Sequence, residues 1–375
     1  MAIKIGIDAR SLGAKVCGVS RVTLRLIEAL SAVDKENPYC VFTDSTALAG
    51  VLNSNFSVCN TCCPRMNPAY DFKFMRIILG MNLDVFHSVH SWFPFGVRRL
   101  KARKFVTIHD MFAVTDPNFF LKYGALSGVA RQYFSYLTER SAREADTILT
   151  VSEYSKQRIQ EVIPAALGKI KVVYNASGLG TNGESISNTP AVNPKCLLYV
   201  GNCRSYKNVP VLIRGFLEYV SANTESGLSL VIAGNDASPE IKNLVKECGL
   251  SSRVIFYTNP DDSALRKLYS EALALIMPSR EEGFGIPVLE AMGLGLPVII
   301  SDADALVEVV GDAALVFPKD DYRKLGALIQ RVTKDINLCE DLRRRGVARS
   351  SVFSWQKSAL ELKSLYLKSI RSEVA

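Results

Sequence analysis

The segment REEGFGIPVLEAMGLGLPV, residues 280–298, gives the clearest indication of the fold class of this chain. It joins two short apolar runs, 273–277 and 297–300, which predict buried strands of a parallel sheet. Between them the sequence predicts a glycine-rich loop and then a helix, with Pro287 in the first helical turn. The backbone N–H groups around residues 284–288 are therefore expected to point, with the positive end of the helix dipole, at an anion such as a diphosphate.

Two carboxylates stand at different points of this element. Glu282 precedes the predicted helix, and Glu290 follows eight residues later, about two helical turns further along. They can therefore meet different parts of one extended ligand, and vicinal sugar hydroxyls suit such acceptors. The alternative is that Glu290 is a buried packing or capping residue and that Glu281 or Glu282 is a solvated loop charge.

On both sides of this segment, the chain contains two series of strand–loop–helix units, which are typical of parallel sheets. The first series has apolar strand runs at 3–7, 85–86, 105–108 and 147–151, and the second has them at 196–200, 228–233, 254–257, 273–277 and 297–300. Between residues 175 and 194 the composition turns to Gly, Ser, Thr, Asn and Pro, which indicates a linker.

The predicted fold class is therefore α/β, with two doubly wound Rossmann-like domains. The first domain spans 1–178, the linker 179–194 and the second domain 195–354, while a last helix within 355–375 is expected to pack back on the first domain. Ligands of open parallel sheets lie outside the carboxyl ends of the strands. The two domains are therefore expected to face each other across a ligand-binding cleft.

Length and charge narrow the function classes. A chain of 375 residues with 48% hydrophobic and 22% charged residues is globular and long enough for about two cores. The net charge of +8 favours an anionic partner. The basic run at 98–104 lacks the interleaved aromatic residues of a nucleic-acid platform, so no nucleic acid is expected. Peripheral contact with an anionic membrane and a solvated protein face both fit this run.

The N-terminus and the cysteines indicate a cytoplasmic chain, with peripheral association at the inner face of the cell membrane left open. MAIKIGIDAR lacks the apolar core of a signal peptide, and the longest apolar runs fall short of the roughly 20 residues that cross a bilayer. Nine cysteines, an odd number and mostly scattered, predict reduced structural thiols. Only Cys59, Cys62 and Cys63 cluster, and no metal site is expected there, because the chain has only three histidines to complete one.

The motif EGFGIPVLEAM, residues 282–292, resembles the Glu-x7-Glu signature of family 4 glycosyltransferases. The likeness continues through 278–279, 295–298 and 308–315 and extends more thinly over nearly the whole chain. The resemblance implies the GT-B fold and transfer from a nucleotide-diphosphate sugar with retention of anomeric configuration. It also implies that no metal or cofactor is needed, that the first domain receives the acceptor and that the second binds the donor.

The same resemblance implies roles in the donor site. Glu290 would hold the ribose hydroxyls, and Glu282 would lie beside the transferred sugar. The backbone of Phe284, Gly285 and Ile286 would lie near the hydroxyls of that sugar.

A second element, YVGNCRSYKN at 199–208, resembles the strand and glycine loop that supply cations for the diphosphate in this family. Gly201 and Lys207 match the pattern. Arg204 is assigned with them, although many members place the arginine directly after the glycine, where this chain has Asn202. Fixed cations would stabilise the negative charge that develops as the nucleoside diphosphate leaves. Without the resemblance, a single basic residue on a loop is more typical of solvated surface.

In the first domain, His109 follows a predicted strand, so its side chain is expected at the ligand-binding edge of the sheet. The family has a histidine there that contacts the sugar, which implies that His109 binds donor sugar beside Glu282 and is not a general base. A satisfied core or turn histidine is the alternative. Gly18 resembles the loop residue that approaches the donor phosphate, whereas His87 is interpreted as structural or acceptor-side.

The resulting hypothesis is a transferase that moves a hexose, mannose from GDP-mannose, to a glycan or lipid-linked glycan acceptor. The choice of mannose follows from similarity of 206–208 and 310–314 to bacterial mannosyltransferases of polysaccharide and O-antigen assembly. A UDP-sugar donor and a non-catalytic nucleotide-sugar-binding subunit remain alternatives. A nucleotide-dependent oxidoreductase is disfavoured, because neither glycine loop spells G-x-G-x-x-G with a suitably placed acidic residue.

Overall fold

A computed structural model describes residues 2–12, 18–63, 68–120, 124, 126–179 and 196–371. The chain divides into two compact units. The N-terminal unit comprises Met1–Asn175 with Ser354–Ala375, and the C-terminal unit comprises Ala176–Phe353. The predicted linker at 179–194 lies, apart from Leu179, outside the described residues.

The N-terminal unit is built on a seven-stranded sheet in which the paired strands are parallel. Its strands are β1 (Ile5–Asp8), β2 (Tyr39–Phe42), β3 (Phe56–Cys59), β4 (Val85–Ser88), β5 (Arg103–Thr107), β6 (Thr147–Thr150) and β7 (Ile170–Val172). They lie in the order β3-β2-β1-β4-β5-β6-β7, so the strand order reverses between β1 and β4. Every residue of β1, β2 and β4 is buried, which is typical of a parallel sheet covered on both faces.

Helices connect these strands within the described residues. They are α1 (Gly18–Val33), α2 (Pro68–Leu79), α3 (Phe112–Thr115), α4 (Ser127–Glu144) and α5 (Glu153–Val162). One core cluster joins α2 and the end of α4 to the sheet, and another joins α1 to it. Ser152 begins α5 by accepting a hydrogen bond from the backbone N–H of Ser155 at 3.0 Å, which satisfies one of the exposed donors of the first turn.

The C-terminal unit is built on a six-stranded parallel sheet. Its strands are β8 (Cys196–Val200), β9 (Ser229–Gly234), β10 (Val254–Thr258), β11 (Ala272–Met277), β12 (Val298–Ser301) and β13 (Leu315–Phe317). The order β10-β9-β8-β11-β12-β13 is that of a doubly wound sheet, with the reversal between β8 and β11. The described helices are α6 (Val209–Ala222), α7 (Pro239–Glu247), α8 (Asp262–Glu271), α9 (Ile286–Gly293), α10 (Asp304–Val310), α11 (Tyr322–Lys334) and α12 (Ile336–Ser350). Two doubly wound domains are thus confirmed.

The last helix, α13 (Trp355–Arg371), belongs to the N-terminal unit, as predicted. Its buried side chains Ala359, Leu362 and Tyr366 join β1 and β5 in one core cluster. The Tyr366 hydroxyl lies 2.6 Å from Nδ1 of His87 on β4. The chain therefore returns to its first domain after completing the second.

The basic run at 98–104 lies at the opposite edge of the sheet from His109. Arg103 and Lys104 begin β5, so they stand at the amino end of that strand, whereas His109 follows its carboxyl end. Asp146 lies 3.8 Å from the Arg103 guanidinium and 3.3 Å from the Lys104 ammonium, and it compensates part of their charge. None of the described helices is both long enough and apolar enough to cross a bilayer.

A disulfide joins Cys40 on β2 to Cys59 on the neighbouring strand β3. The prediction of reduced thiols is therefore wrong for this pair, because strand pairing brings together two cysteines whose spacing in the sequence carries no signal. Six further cysteines are free, and Cys17 lies outside the described residues. The described residues contain no group of three or more His, Cys, Asp or Glu side chains arranged to hold a metal ion.

Candidate active site

The loops after β8 and β11 bring two of the predicted site residues together. These strands are neighbours at the reversal point of the sheet, where ligands of doubly wound domains bind. Lys207 Nζ donates to Glu282 Oε1 at 2.6 Å, and both side chains are largely buried, with 13% and 7% exposed. The two residues are 75 positions apart in the sequence, so only the strand order makes them neighbours.

The hydrogen bonds that hold the Glu282 carboxylate all reach one of its two oxygens, Oε1. Ser279 Oγ donates to the same Oε1 at 2.7 Å, and Ser279 is itself fully buried. No hydrogen bond from a described side chain or backbone group reaches Oε2 of Glu282. One oxygen thus orients the carboxylate, and the other remains available to accept a hydrogen bond from a ligand hydroxyl.

Further contacts hold these two loops in place, to each other and to the elements around β12 and β13. The backbone N–H of Arg280 donates to the carbonyl of Tyr206 at 2.8 Å, and the Ser301 hydroxyl donates to the carbonyl of Ser279. The Arg280 guanidinium also lies 2.8 Å from Asp320. Lys207 and Glu282 are therefore positioned by backbone contacts between the loops as well as by their own ion pair.

Helix α9 begins where the motif predicts. Gly285 precedes it with φ 101° and ψ 50°, and Pro287 is its second residue. The expectation that the N–H groups around 284–288 face an anion needs correction at the end of this range. Pro287 has no N–H, and the N–H of Val288 donates to the carbonyl of Gly285 at 2.9 Å. The backbone groups that can meet a phosphate or sugar hydroxyl are therefore those before Pro287, at Phe284, Gly285 and Ile286.

Gly285 occupies a position that only glycine fits. Its φ lies in the left-handed region, and a Cβ there would meet Leu306 Cδ2 at 2.6 Å. The Phe284 side chain packs edge-on against Phe353 with ring centroids 5.7 Å apart, so its ring belongs to the core. Only its backbone can serve the predicted donor contact.

Glu290 lies in the interior of α9, with 2% of its surface exposed. Tyr269 Oη on α8 donates to Glu290 Oε2 at 2.8 Å. This contact accounts for the placement of one carboxylate oxygen inside the unit. Binding of ribose by Glu290 stays a prediction.

Gly201 and Arg204 occupy the loop between β8 and Lys207. The N–H of Gly201 donates to the carbonyl of Ala233 at 2.9 Å, and a Cβ on Gly234 would meet the Gly201 carbonyl oxygen at 1.9 Å, so two loops approach closely here. Arg204 precedes the 3₁₀ helix Ser205–Lys207, and its side chain is exposed. The geometry thus favours Lys207 over Arg204 as the cation nearest Glu282.

His109 follows β5 in the N-terminal unit. Its Nε2 lies 3.1 Å from the carbonyl oxygen of Val89. A carbonyl only accepts hydrogen bonds, so Nε2 carries the proton and Nδ1 is an acceptor. Burial lowers the pKa of His109 below 6.5, although the bond with Val89 opposes this, so the ring is neutral at pH 7.

His87, which was interpreted as structural or acceptor-side, and Gly18 remain to be placed. His87 is fully buried between Tyr366 and Thr107, at 2.6 and 2.8 Å, and burial lowers its pKa to about 3. It therefore links β4 to α13 as a core residue. Gly18 is the first residue of α1, and residues 13–17 before it lie outside the described residues.

Sequence reasoning missed a charged cluster at the reversal point of the first sheet. Asp8 ends β1, and Arg10 donates from Nε to Asp8 Oδ1 at 2.9 Å and from Nη2 to Oδ2 at 2.8 Å. Asp71 lies 3.6 Å from the same guanidinium, and His90 Nε2 lies 3.8 Å from Asp8. The signal was present, because IDAR places two charges at the end of an apolar strand. Ser279 and Tyr269 were also missed as partners of the two glutamates.

Two family models match this chain, one over each unit. Glycosyltransferase Family 4 matches residues 16–176, and Glycosyl transferases group 1 matches residues 184–349. The second match contains Lys207, Glu282 and Glu290.

Individual relatives agree with these matches. O-antigen chain mannosyltransferase B of Escherichia coli is 27% identical over 298 residues, which cover 75% of this chain and 74% of the relative. Sucrose-phosphate synthase from Thermosynechococcus elongatus shares the fold with a TM-score of 0.76 at 21% identity, over 99% of this chain and 100% of the other. Anabaena HepE, solved with UDP and glucose, shares it with a TM-score of 0.73 at 15% identity, over 98% and 100%. The chain therefore combines a Glycosyltransferase Family 4 domain with a glycosyl transferase group 1 domain, and its fold is the GT-B fold of such enzymes.

Proposed function

We propose that this glycosyltransferase moves mannose from GDP-mannose to a lipid-linked or polysaccharide acceptor, with retention of configuration and without a metal ion or other cofactor. The resemblance to an O-antigen mannosyltransferase supports the sugar and the acceptor class. The observation that carries the proposal is the Lys207–Glu282–Ser279 arrangement beside the start of α9. It combines a fixed cation, a helix N-terminus and an oriented carboxylate.

The arrangement suits departure of a nucleoside diphosphate. Lys207 gives one of its donors to Glu282, and its positive charge would attract the oxygens of a diphosphate. Cations and helix N–H groups stabilise the charge on the leaving diphosphate, and such stabilisation counts most in the transition state. Glu282 Oε2 would accept a hydrogen bond from a hydroxyl of the transferred sugar.

The remaining chemistry follows the family pattern. Attack takes place on the face from which the diphosphate departs, and the leaving diphosphate itself takes the acceptor proton. Neutral His109 is assigned a hydrogen bond to the donor sugar, not proton transfer, because burial disfavours its charged form. Glu290 is assigned to the ribose hydroxyls.

The donor can be identified by measuring release of nucleoside diphosphate from a panel of GDP- and UDP-sugars. We expect release from GDP-mannose and tight calorimetric binding of GDP. HepE, with UDP and glucose bound, represents the alternative of a UDP-sugar donor. Binding of UDP but not GDP would exclude mannose transfer from GDP-mannose, and binding without hydrolysis or transfer would favour a non-catalytic subunit.

The role of Glu282 can be separated from that of its neighbour. We expect Glu282→Gln to lower kcat about 100- to 1,000-fold, whereas Glu281→Gln keeps near-normal turnover as the matched control. Glu290→Gln should mainly raise KM for the nucleotide sugar. Near-normal transfer by Glu282→Gln, together with loss of transfer in Glu290→Gln, would show that the two roles are wrongly assigned.

The cellular setting is proposed to be the cytoplasm, at the inner face of the membrane that carries a lipid-linked acceptor. The basic run at 98–104 would supply the peripheral contact. Flotation with anionic vesicles tests this contact, and failure to float with them would remove it.

A further inference from the structure

Asn208 follows Lys207 directly and separates two helices. It is the single residue between the 3₁₀ helix Ser205–Lys207 and α6. Its φ of 53° and ψ of 35° are left-handed, a conformation that Gly, Asn and Asp adopt more readily than other residues. A left-handed residue ends a helix and changes the direction of the chain. The lysine therefore remains on the loop and does not continue into α6.

The side chain of Asn208 reaches the segment that follows β13. The residue is buried, with 1% exposed, and its Nδ2 donates to the carbonyl of Lys319 at 2.6 Å and lies 3.4 Å from Asp320 Oδ1. Lys319 is fixed in turn, because its N–H donates to Asp302 Oδ1 at 2.9 Å. Asp320 Oδ1 also accepts a hydrogen bond from the Arg280 guanidinium at 2.8 Å. The end of the lysine loop is thus attached to residues 319–320 by a side-chain donor.

This contact differs from the ordinary role of an asparagine before a helix. An N-cap side chain accepts a hydrogen bond from an N–H of the first helical turn, but Asn208 makes no such bond to α6. Its Oδ1 is buried and has no hydrogen-bond partner within the described part of the chain. The position therefore uses the donor of the amide and leaves its acceptor unused.

We propose that Asn208 is a positioning residue for Lys207. The left-handed turn and the bond to the Lys319 carbonyl together hold the lysine ammonium beside Glu282. Without them the ammonium would keep its charge but lose its fixed place. The effect of Asn208 on transfer rests on the proposed function, whereas its effect on the geometry of the ion pair does not.

Two variants test the donor and the side chain. Asn208→Asp preserves the size of the side chain and tolerates a left-handed φ, but a carboxylate cannot donate to the Lys319 carbonyl. Aspartate would be an adequate replacement if only the turn or an N-cap mattered. Asn208→Gly keeps the turn and removes the side chain without adding a charge. Asn82→Gly is the matched control, because Asn82 also has a left-handed φ, 47°, but is exposed and lies before the amino end of β4.

The first readout is the distance between Lys207 Nζ and Glu282 Oε1 in crystal structures of the wild type and the variants. We expect it to stay near 2.6 Å in the wild type and in Asn82→Gly. In Asn208→Asp and Asn208→Gly it should exceed the roughly 4 Å of an ion pair. An unchanged distance in both Asn208 variants would overturn the positioning role.

Turnover provides the second readout. We expect kcat to fall about 3- to 10-fold in Asn208→Gly, as for the loss of one hydrogen bond. The KM for the nucleotide sugar should change less, since stabilisation of developing charge counts most in the transition state. In the Lys207→Met background the same substitution should change kcat by less than about 2-fold, because a positioning residue acts through the group that it positions.

The outcomes separate the positioning role from the proposed function. An equal fall of kcat in the wild-type and Lys207→Met backgrounds would show a general structural role and overturn the proposal. A lengthened distance with unchanged kcat would overturn the link between Asn208 and transfer. A lengthened distance in a protein that, even as the wild type, releases no nucleoside diphosphate from any sugar donor would support the positioning role and overturn the proposed function instead.

Discussion

The two sheets carry an ion pair at the same topological position, next to the reversal of strand order, and the two pairs are built differently. In the N-terminal unit, Arg10 donates to both oxygens of Asp8, and 2% and 0% of the two side chains are exposed. In the C-terminal unit, Lys207 and Ser279 both donate to a single oxygen of Glu282. In the first pair both carboxylate oxygens accept a hydrogen bond from Arg10, whereas the second pair leaves one carboxylate oxygen for a ligand. The two pairs therefore share a position in the fold, and the unused oxygen of Glu282 is the feature that distinguishes the pair to which we assign a role in transfer.

The largest expected effect is the loss of folding stability when the buried pair Asp8–Arg10 is broken. Arg10→Met leaves Asp8 charged and buried, and breaking a buried pair from one side costs about 3–5 kcal/mol. We expect a loss of this size in the free energy of unfolding, measured by urea denaturation. Arg25→Met is the matched control, because its pair with Glu28 is about a quarter exposed and should contribute less than about 1 kcal/mol. Equal small losses in both variants would show that Asp8–Arg10 is not a structural clamp.

The same pair predicts how this loss depends on pH. Burial raises the pKa of Asp8, but the charge of Arg10, with smaller help from His90, brings it below 3.8. A lowered folded pKa contributes stability above the unfolded pKa, and this stability is lost as the pH falls through the folded value. In Arg10→Met burial dominates, so the pKa rises above 3.8 and the variant gains stability as the pH falls towards 4. The stability gap between wild type and variant should narrow from pH 7 to pH 4, and a constant gap would contradict this electrostatic origin.

Breaking the pair Lys207–Glu282 should instead lower the rate of transfer. Lys207→Met removes the cation beside Glu282, and we expect kcat to fall about 100- to 1,000-fold, as for other groups that stabilise transition-state charge. Arg204→Met is the matched control on the same loop, and because its side chain is exposed we expect a loss below about 10-fold. Initial rates of nucleoside diphosphate release measure both. Equal losses of kcat in the two variants would mean that the total charge of the loop matters and that the position of Lys207 does not.

Replacing Gly285, just before α9, by alanine should destabilise the protein more than the same replacement of Gly293, at the end of α9. Gly285→Ala must adopt φ 101° and meets Leu306, which we expect to cost about 1–3 kcal/mol of stability and to disturb the start of α9. In Gly293→Ala the new Cβ has no atom closer than 3.6 Å, so alanine should be neutral or stabilising by up to about 1 kcal/mol. Thermal unfolding compares the two variants. A neutral Gly285→Ala would show that the left-handed turn is not required.

Much of the C-terminal unit could be predicted because its signals are local. The run at 273–277 predicts β11, Pro287 marks the first turn of α9, and both bounds agree with the structure within a residue or two. The strands β2, β3, β7 and β13 were not predicted. Three of them, β3, β7 and β13, are edge strands with exposed or half-exposed positions, so they lack the continuous buried run that marks a central parallel strand.

The contacts of the site could not be predicted in the same way. Lys207 meets Glu282 because β8 and β11 are adjacent, and strand order is not written in chain order. The donation from Tyr269 to Glu290 and the protonated nitrogen of His109 depend on side-chain packing. The disulfide between Cys40 and Cys59 likewise depends on the pairing of β2 with β3.

The smallest effect tests whether one oxygen of Glu282 is held by two donors acting together. Ser279→Ala removes the hydroxyl that donates to Oε1 at 2.7 Å, and we expect kcat to fall up to about 10-fold. Ser270→Ala, at an exposed serine on α8, should leave kcat unchanged. In the Lys207→Met background the loss from Ser279→Ala should differ from that in wild type, because residues sharing a partner do not act additively. Identical losses in both backgrounds would mean that Ser279 and Lys207 act independently, and that the orientation of Glu282 does not depend on their joint hold on Oε1.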